Sequence, residues 1–86
     1  MAVSERMLEK AVQTERLMAQ VEARIGQVFS EVEQIIDTAR QDPGNTYWSF
    51  SLASKATELH QLQDEFEGLR LTRNDWLKWA QDGVEG

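Results

Sequence analysis

Between Met7 and Ala39 the apolar residues fall at positions 7, 11, 18, 21, 25, 28, 32, 35 and 39, a three-then-four spacing interrupted only by Thr14. Side chains three and four apart share one face of an α-helix. A seven-residue repeat sustained over this length specifies one long helix whose seam packs on another helix. With Ser4 at heptad position a, Ala11, Met18, Ile25, Val32 and Ala39 follow at a, and Met7, Thr14, Val21, Val28 and Ile35 at d. Leu8, Phe29 and Ile36 extend the stripe to position e and Leu17 to g, which is wider than a two-stranded seam requires and suits a helix within a bundle. Ala11 and Thr14 fill the seam before Met18 with little volume, so the amino-terminal third is expected to bury the least and to be the looser end.

Such a helix does not stand alone on its charges. Glu5 with Glu9, Arg6 with Lys10 and Glu33 with Asp37 are like-charged at four-residue spacing, and opposite pairs such as Asp37 with Arg40 are few. Stability has to come from packing the stripe on a segment of the same chain, on another chain, or on both.

Ser4 is a good N-cap, and Glu5 sits at the positive end of the helix dipole. Asp42-Pro43-Gly44-Asn45 ends the helix, because proline breaks the hydrogen-bond ladder and Gly and Asn accept turn dihedrals. A first helix over about 5–41 and a turn over 42–46 follow. A second helix over about 47–69 carries Trp48, Leu52, Leu59, Leu62, Phe66 and Leu69 at the same spacing, interrupted by Lys55 beside Ala56. A connection this short favours an antiparallel hairpin, with Leu52 near Ile36, Leu59 near Val28 or Phe29, Leu62 near Ile25 and Phe66 near Val21.

In Leu71-Thr72-Arg73-Asn74-Asp75-Trp76, Thr72 and Asp75 stand at capping-box spacing and Leu71 and Trp76 at the positions of a hydrophobic staple. A short third helix over about 73–82, stopped near Gly83, is therefore predicted. The expected fold is all-α: an antiparallel hairpin of a long and a shorter helix plus a short third helix, a small bundle of coiled-coil type. The shorter second helix would leave Met7, Leu8, Ala11 and Leu17 uncovered. Either the third helix folds over them with Trp76, Leu77 and Trp79, or a second subunit or an external protein does.

Eighty-six residues with 41% hydrophobic and 28% charged content make one small domain, too apolar for a disordered chain and small enough that a partner or oligomerisation is expected. No apolar run approaches the roughly 20 residues that span a bilayer, and the amino terminus lacks a signal-type apolar stretch, so a cytoplasmic location without membrane contact is expected. Cysteine is absent, which removes disulfides and thiolate chemistry. The net charge of −6 is shared evenly, five basic and eight acidic residues over 1–42 and four and seven over 43–86. Neither half offers a basic face, and direct nucleic-acid binding is not expected.

His60 is the single histidine. Asp64 and Glu67 follow at helical spacing, a trio able to approach a metal, but helical metal sites draw ligands from several helices, and a solvated polar face accounts for these three without one. There is no glycine-rich phosphate loop and no nucleophile beside a base. Neither an enzyme nor a cofactor is expected.

The aromatic residues off the seam carry more. Tyr47 and Phe50 lie at c and f, where they either fold over the turn or stand out as contact anchors, and Trp76 and Trp79 pose the same choice. Gly26 at position b joins Val12, Ala19 and Ala23 in a side stripe of mostly small residues, which either admits a close helix or is a tolerated surface glycine.

The leading expectation is a non-enzymatic protein-binding module, an adaptor, chaperone or inhibitor, with Met7, Leu8, Ala11, Leu17, Tyr47, Phe50, Trp76 and Trp79 as candidate contacts for another protein. A self-associating structural bundle, for instance a homodimer, is the alternative. A third reading makes Asp64-Glu65-Glu67 with Glu58 and Asp82 an acidic mimic of nucleic acid. In outline the chain resembles the helical-hairpin co-chaperones of type III needle subunits, through Tyr47 to Leu59 with Ser54-Lys55-Ala56, and the secreted hairpins with a Trp-x-Gly turn. Phe50 replaces the turn glycine of the latter in Trp48-Ser49-Phe50. The resemblance is one of architecture and assigns no residue a role.

Overall fold

Two helices of nearly equal length, laid side by side, account for almost the whole chain. The computed structural model describes residues 4–83. Helix α1 spans Glu5–Gln41 and helix α2 spans Tyr47–Gln81, packed as an antiparallel hairpin 66 Å long and 15 by 12 Å across. Ser4 caps α1, its hydroxyl accepting from the Met7 amide at 3.4 Å. At the turn the Asp42 amide donates to the Thr38 carbonyl at 3.0 Å, closing α1. The Tyr47 amide, exposed at the start of α2, donates to the Asn45 side chain at 3.0 Å.

The third helix expected over 73–82 does not exist as a separate element. Helix α2 runs unbroken through Leu71 and Thr72. Thr72 is no cap: its hydroxyl donates to the Gly68 carbonyl at 2.9 Å in mid-helix. The physical reason is the seam. The residues of α2 turned towards α1 are Leu52, Lys55, Leu59, Leu62, Phe66, Leu69, Arg73, Trp76 and Ala80, a three-and-four spacing that never falters. A break at residue 70 would have opened two new helix ends and lost that register. Gly83 ends α2 instead, with φ 71° in the left-handed region and its amide on the Ala80 carbonyl at 3.2 Å.

Because α2 is 35 residues long, it also covers the first three turns of α1. Met7 is fully buried, Ser4, Ala11 and Thr14 nearly so, and Lys10 lies over the Trp76 ring at 5.2 Å. The amino-terminal third is thus the tightest part of the hairpin, which corrects the expectation that it would be the loosest. Small seam residues let the helices approach instead of leaving them underpacked. The Thr14 hydroxyl, at a core position, is satisfied by the Lys10 carbonyl of its own helix at 2.8 Å.

Burial fades in the other direction. Val28 is the last fully buried side chain of α1, and the seam residues beyond it, Val32, Ile35 and Ala39, are only partly covered. The paired register stays close to that expected from the turn. Val21 shares a groove with Leu62 and Leu69, while Ile25 and Phe29 share another with Leu59 and Phe66.

Candidate interaction site

The seam carries charge at mid-length and open space towards the turn. On the g side an ionic cluster bolts the helices together at mid-length. Arg24 of α1 reaches Glu58 of α2 at 2.7 Å, and Lys55 of α2 reaches Glu31 of α1 at 2.5 Å, with Arg24–Glu31 at 3.7 Å and Lys55–Glu58 at 3.6 Å completing the ring. The Arg24 hydrogen bond holds the Glu58 carboxyl below the usual carboxylate range, against partial burial. Arg24 and Lys55 are correspondingly pushed up, chiefly by Glu58 and Glu31 respectively. Glu31 Oε2 is buried and meets the Lys55 ammonium as an ion pair without an aligned hydrogen bond. Lys55, which breaks the apolar pattern of α2, therefore sits in the seam because α1 offers it a carboxylate. Arg73 repeats the device nearer the other end but on the opposite, e side of the seam, with Glu15 at 3.8 Å. Outside the ring, Gln13, Gln20, Gln27, Gln34 and Gln41 form an exposed row at seven-residue spacing, and Leu17 is the large apolar side chain exposed on this flank of α1.

Past the ionic ring, towards the turn, the seam opens into a cleft of about 420 Å³. Ile35 and Ala39 of α1 and Trp48 of α2 supply its apolar surface, and Thr38, Asp42, Asn45 and Ser51 its polar rim. Tyr47 also lines it while remaining 76% exposed, and Phe50, about one turn further along α2 and not among the lining residues, is 72% exposed. They do not fold over the turn to shield it.

The other sequence-derived candidates are scattered. Met7 and Ala11 are buried by the chain itself and offer no outer surface. Leu8 and Leu17 are exposed on opposite flanks of α1. Trp76 is partly covered and packs edge-on against the exposed Trp79, with centroids 5.1 Å apart and planes at 77°. Of the eight candidates, Trp76 and Trp79 pack together and Tyr47 and Phe50 share the turn end of α2, and the cleft that Tyr47 lines went unanticipated. Its signal was the charged Lys55 in the seam of α2, with Leu52 and Trp48 beyond it on the turn side and the small Ala39 on the opposite helix. The His60 trio does not assemble. His60 and Asp64 stand 3.6 Å apart in solvent, whereas Glu67 is engaged by Arg70. Among the described residues no group of three or more such side chains converges, and no helix is long and apolar enough to cross a membrane.

No protein-family model, no curated protein and no solved structure matches the chain.

Proposed function

We propose that the chain is a non-enzymatic protein-interaction module, a small acidic helical adaptor, chaperone or inhibitor that holds a partner protein at its turn end. One observation carries this reading: two large aromatic side chains, Tyr47 and Phe50, stand mostly in solvent at the turn end, and Tyr47 lines an apolar cleft in the least packed part of the hairpin. Aromatic side chains contribute the most contact area per ordered bond, and anchors of this type dominate binding energy at interfaces. The cleft is open along one side and has an apolar floor with a polar rim, which suits one or two apolar side chains projecting from a partner helix.

The test begins with a photo-crosslinking amino acid at position 50 of the full chain in its native host. A discrete adduct is expected. The partner identified from it, purified, is expected to bind the wild-type chain and to lose about tenfold or more in affinity for the Tyr47→Ala/Phe50→Ala variant. The variant should keep its helicity and melting temperature, since both side chains lie outside the seam. Equal affinity of variant and wild type, or no discrete adduct, overturns the proposal.

A further inference from the structure

One charge at the turn-end cleft has no counter-charge. Three charged side chains line the cleft, Glu31, Lys55 and Asp42. Glu31 and Lys55 belong to the ionic ring, where two cations meet two carboxylates and the charges cancel. Asp42 takes part in none of the ion pairs among the described residues. Beyond it the chain carries no charge for twelve residues, from Pro43 to Ser54. The rim also offers acceptors. The Thr38 hydroxyl donates its proton to the Gln34 carbonyl at 3.0 Å, so towards a ligand it can only accept.

These groups discriminate between anchors. An aliphatic side chain seated against Asp42 would strip water from its carboxylate and return no donor, a cost that offsets the gain from its own burial. A cationic side chain restores the charge balance and still has an apolar stem to lay on Ile35 and Ala39. Trp48, lining the same cleft, offers the ring face that attracts a cation most strongly. A guanidinium suits this pair of surfaces better than an ammonium, because it is planar for stacking on an indole and forks onto a carboxylate. Building on the binding-module reading, we infer that the partner protein anchors itself in the cleft with an arginine, its stem on Ile35 and Ala39 and its guanidinium on Trp48 and Asp42. The net charge of −6 favours the approach of a basic surface.

Butylguanidinium is the probe, titrated at constant ionic strength into the isotopically labelled full chain, with butylammonium and neutral butylurea alongside. The indole N–H resonance of Trp48, identified by its loss in Trp48→Leu, is expected to shift saturably in the millimolar range with butylguanidinium. Butylammonium should bind more weakly and butylurea not at all. Trp76 and Trp79, packed together at the other pole, report any unspecific stacking and should not saturate. Asp42→Asn keeps the shape of the side chain and is expected to weaken the guanidinium about fivefold, with unchanged helicity. No saturable shift at Trp48, butylammonium or butylurea binding as tightly as butylguanidinium, or undiminished binding to Asp42→Asn overturns the arginine anchor. The partner captured through position 50 separates this inference from the reading beneath it. If its affinity falls with Tyr47→Ala/Phe50→Ala but not with Asp42→Asn, the arginine is excluded and the binding module stands.

Discussion

The Ser4 backbone amide donates to the Ala80 carbonyl oxygen at 3.0 Å, tying the cap of α1 to the last turn of α2. Each helix end leaves backbone groups without intrahelical partners, and here one end supplies the other. Ser4 is 3% exposed and Ala80 fully buried, so the contact is sealed from water. Directly behind it lies Met7, the largest fully buried side chain together with Val28.

Met7→Ala is accordingly expected to cost about 3 kcal/mol, in the range for truncating a buried methionine. Leu8→Ala, one residue on but exposed, is expected to cost less than about 1 kcal/mol. Chemical denaturation of the two variants measures the difference. Equal losses would show that α2 does not close over the start of α1.

The fading of burial towards the turn sets up a gradient along α1. Val28→Ala is expected to cost about 2 kcal/mol and Val32→Ala about half that. Hydrogen exchange reads the same gradient without mutation: amides from about Ala11 to Val28 should exchange most slowly, and those beyond Ile35 should open by local fluctuation. Uniform protection along the helix would contradict it.

Thr14 occupies a core position with a hydroxyl bonded only to its own helix. Valine has nearly the same shape, keeps the β-branch and adds an apolar methyl to the seam. Thr14→Val is therefore expected to stabilise the hairpin by about 1 kcal/mol, read as a rise in melting temperature. A lower melting temperature would mean that the hydroxyl has a further role in the packed state.

Arg24 depresses the Glu58 pKa in the folded state. The stabilisation from this group is present above its unfolded value and disappears as pH falls through the lower folded value. The melting temperature of the wild type is expected to exceed that of Glu58→Gln near neutrality, with the gap closing below about pH 4. Comparing the two chains cancels the contribution of the other carboxylates. A gap unchanged down to strongly acidic pH would show that the ionic ring does not hold the helices.

Most of the hairpin is legible in the sequence because Asp42-Pro43-Gly44-Asn45 is a local stop and the seam of α1 is nearly free of polar residues. The misreading came at Leu71-Thr72, where a capping pattern was present but the competing signal was longer in range. The interval from Leu69 to Trp76 and Ala80 continues the heptad only if Arg73 is allowed at a seam position, and a charged residue there makes sense only once Glu15 is seen across from it. Lys55 and Glu31 hide the same relation. Pairing across some twenty to sixty residues of sequence is a property of the folded register, which a local pattern does not contain. The cleft was missed for a related reason: it is space left between side chains, and its size depends on how Lys55 and Trp48 meet the opposite helix.

The meeting of Ser4 and Ala80 at one pole, with the turn at the other, makes the hairpin a mast. Any polypeptide joined before Ser4 or after Gly83 departs from the foot, and Tyr47 and Phe50 ride at the head, on a body 66 Å long. A tag, a surface anchor or a neighbouring domain attached at either terminus therefore leaves the aromatic head clear and lifts it well beyond the reach of whatever holds the base.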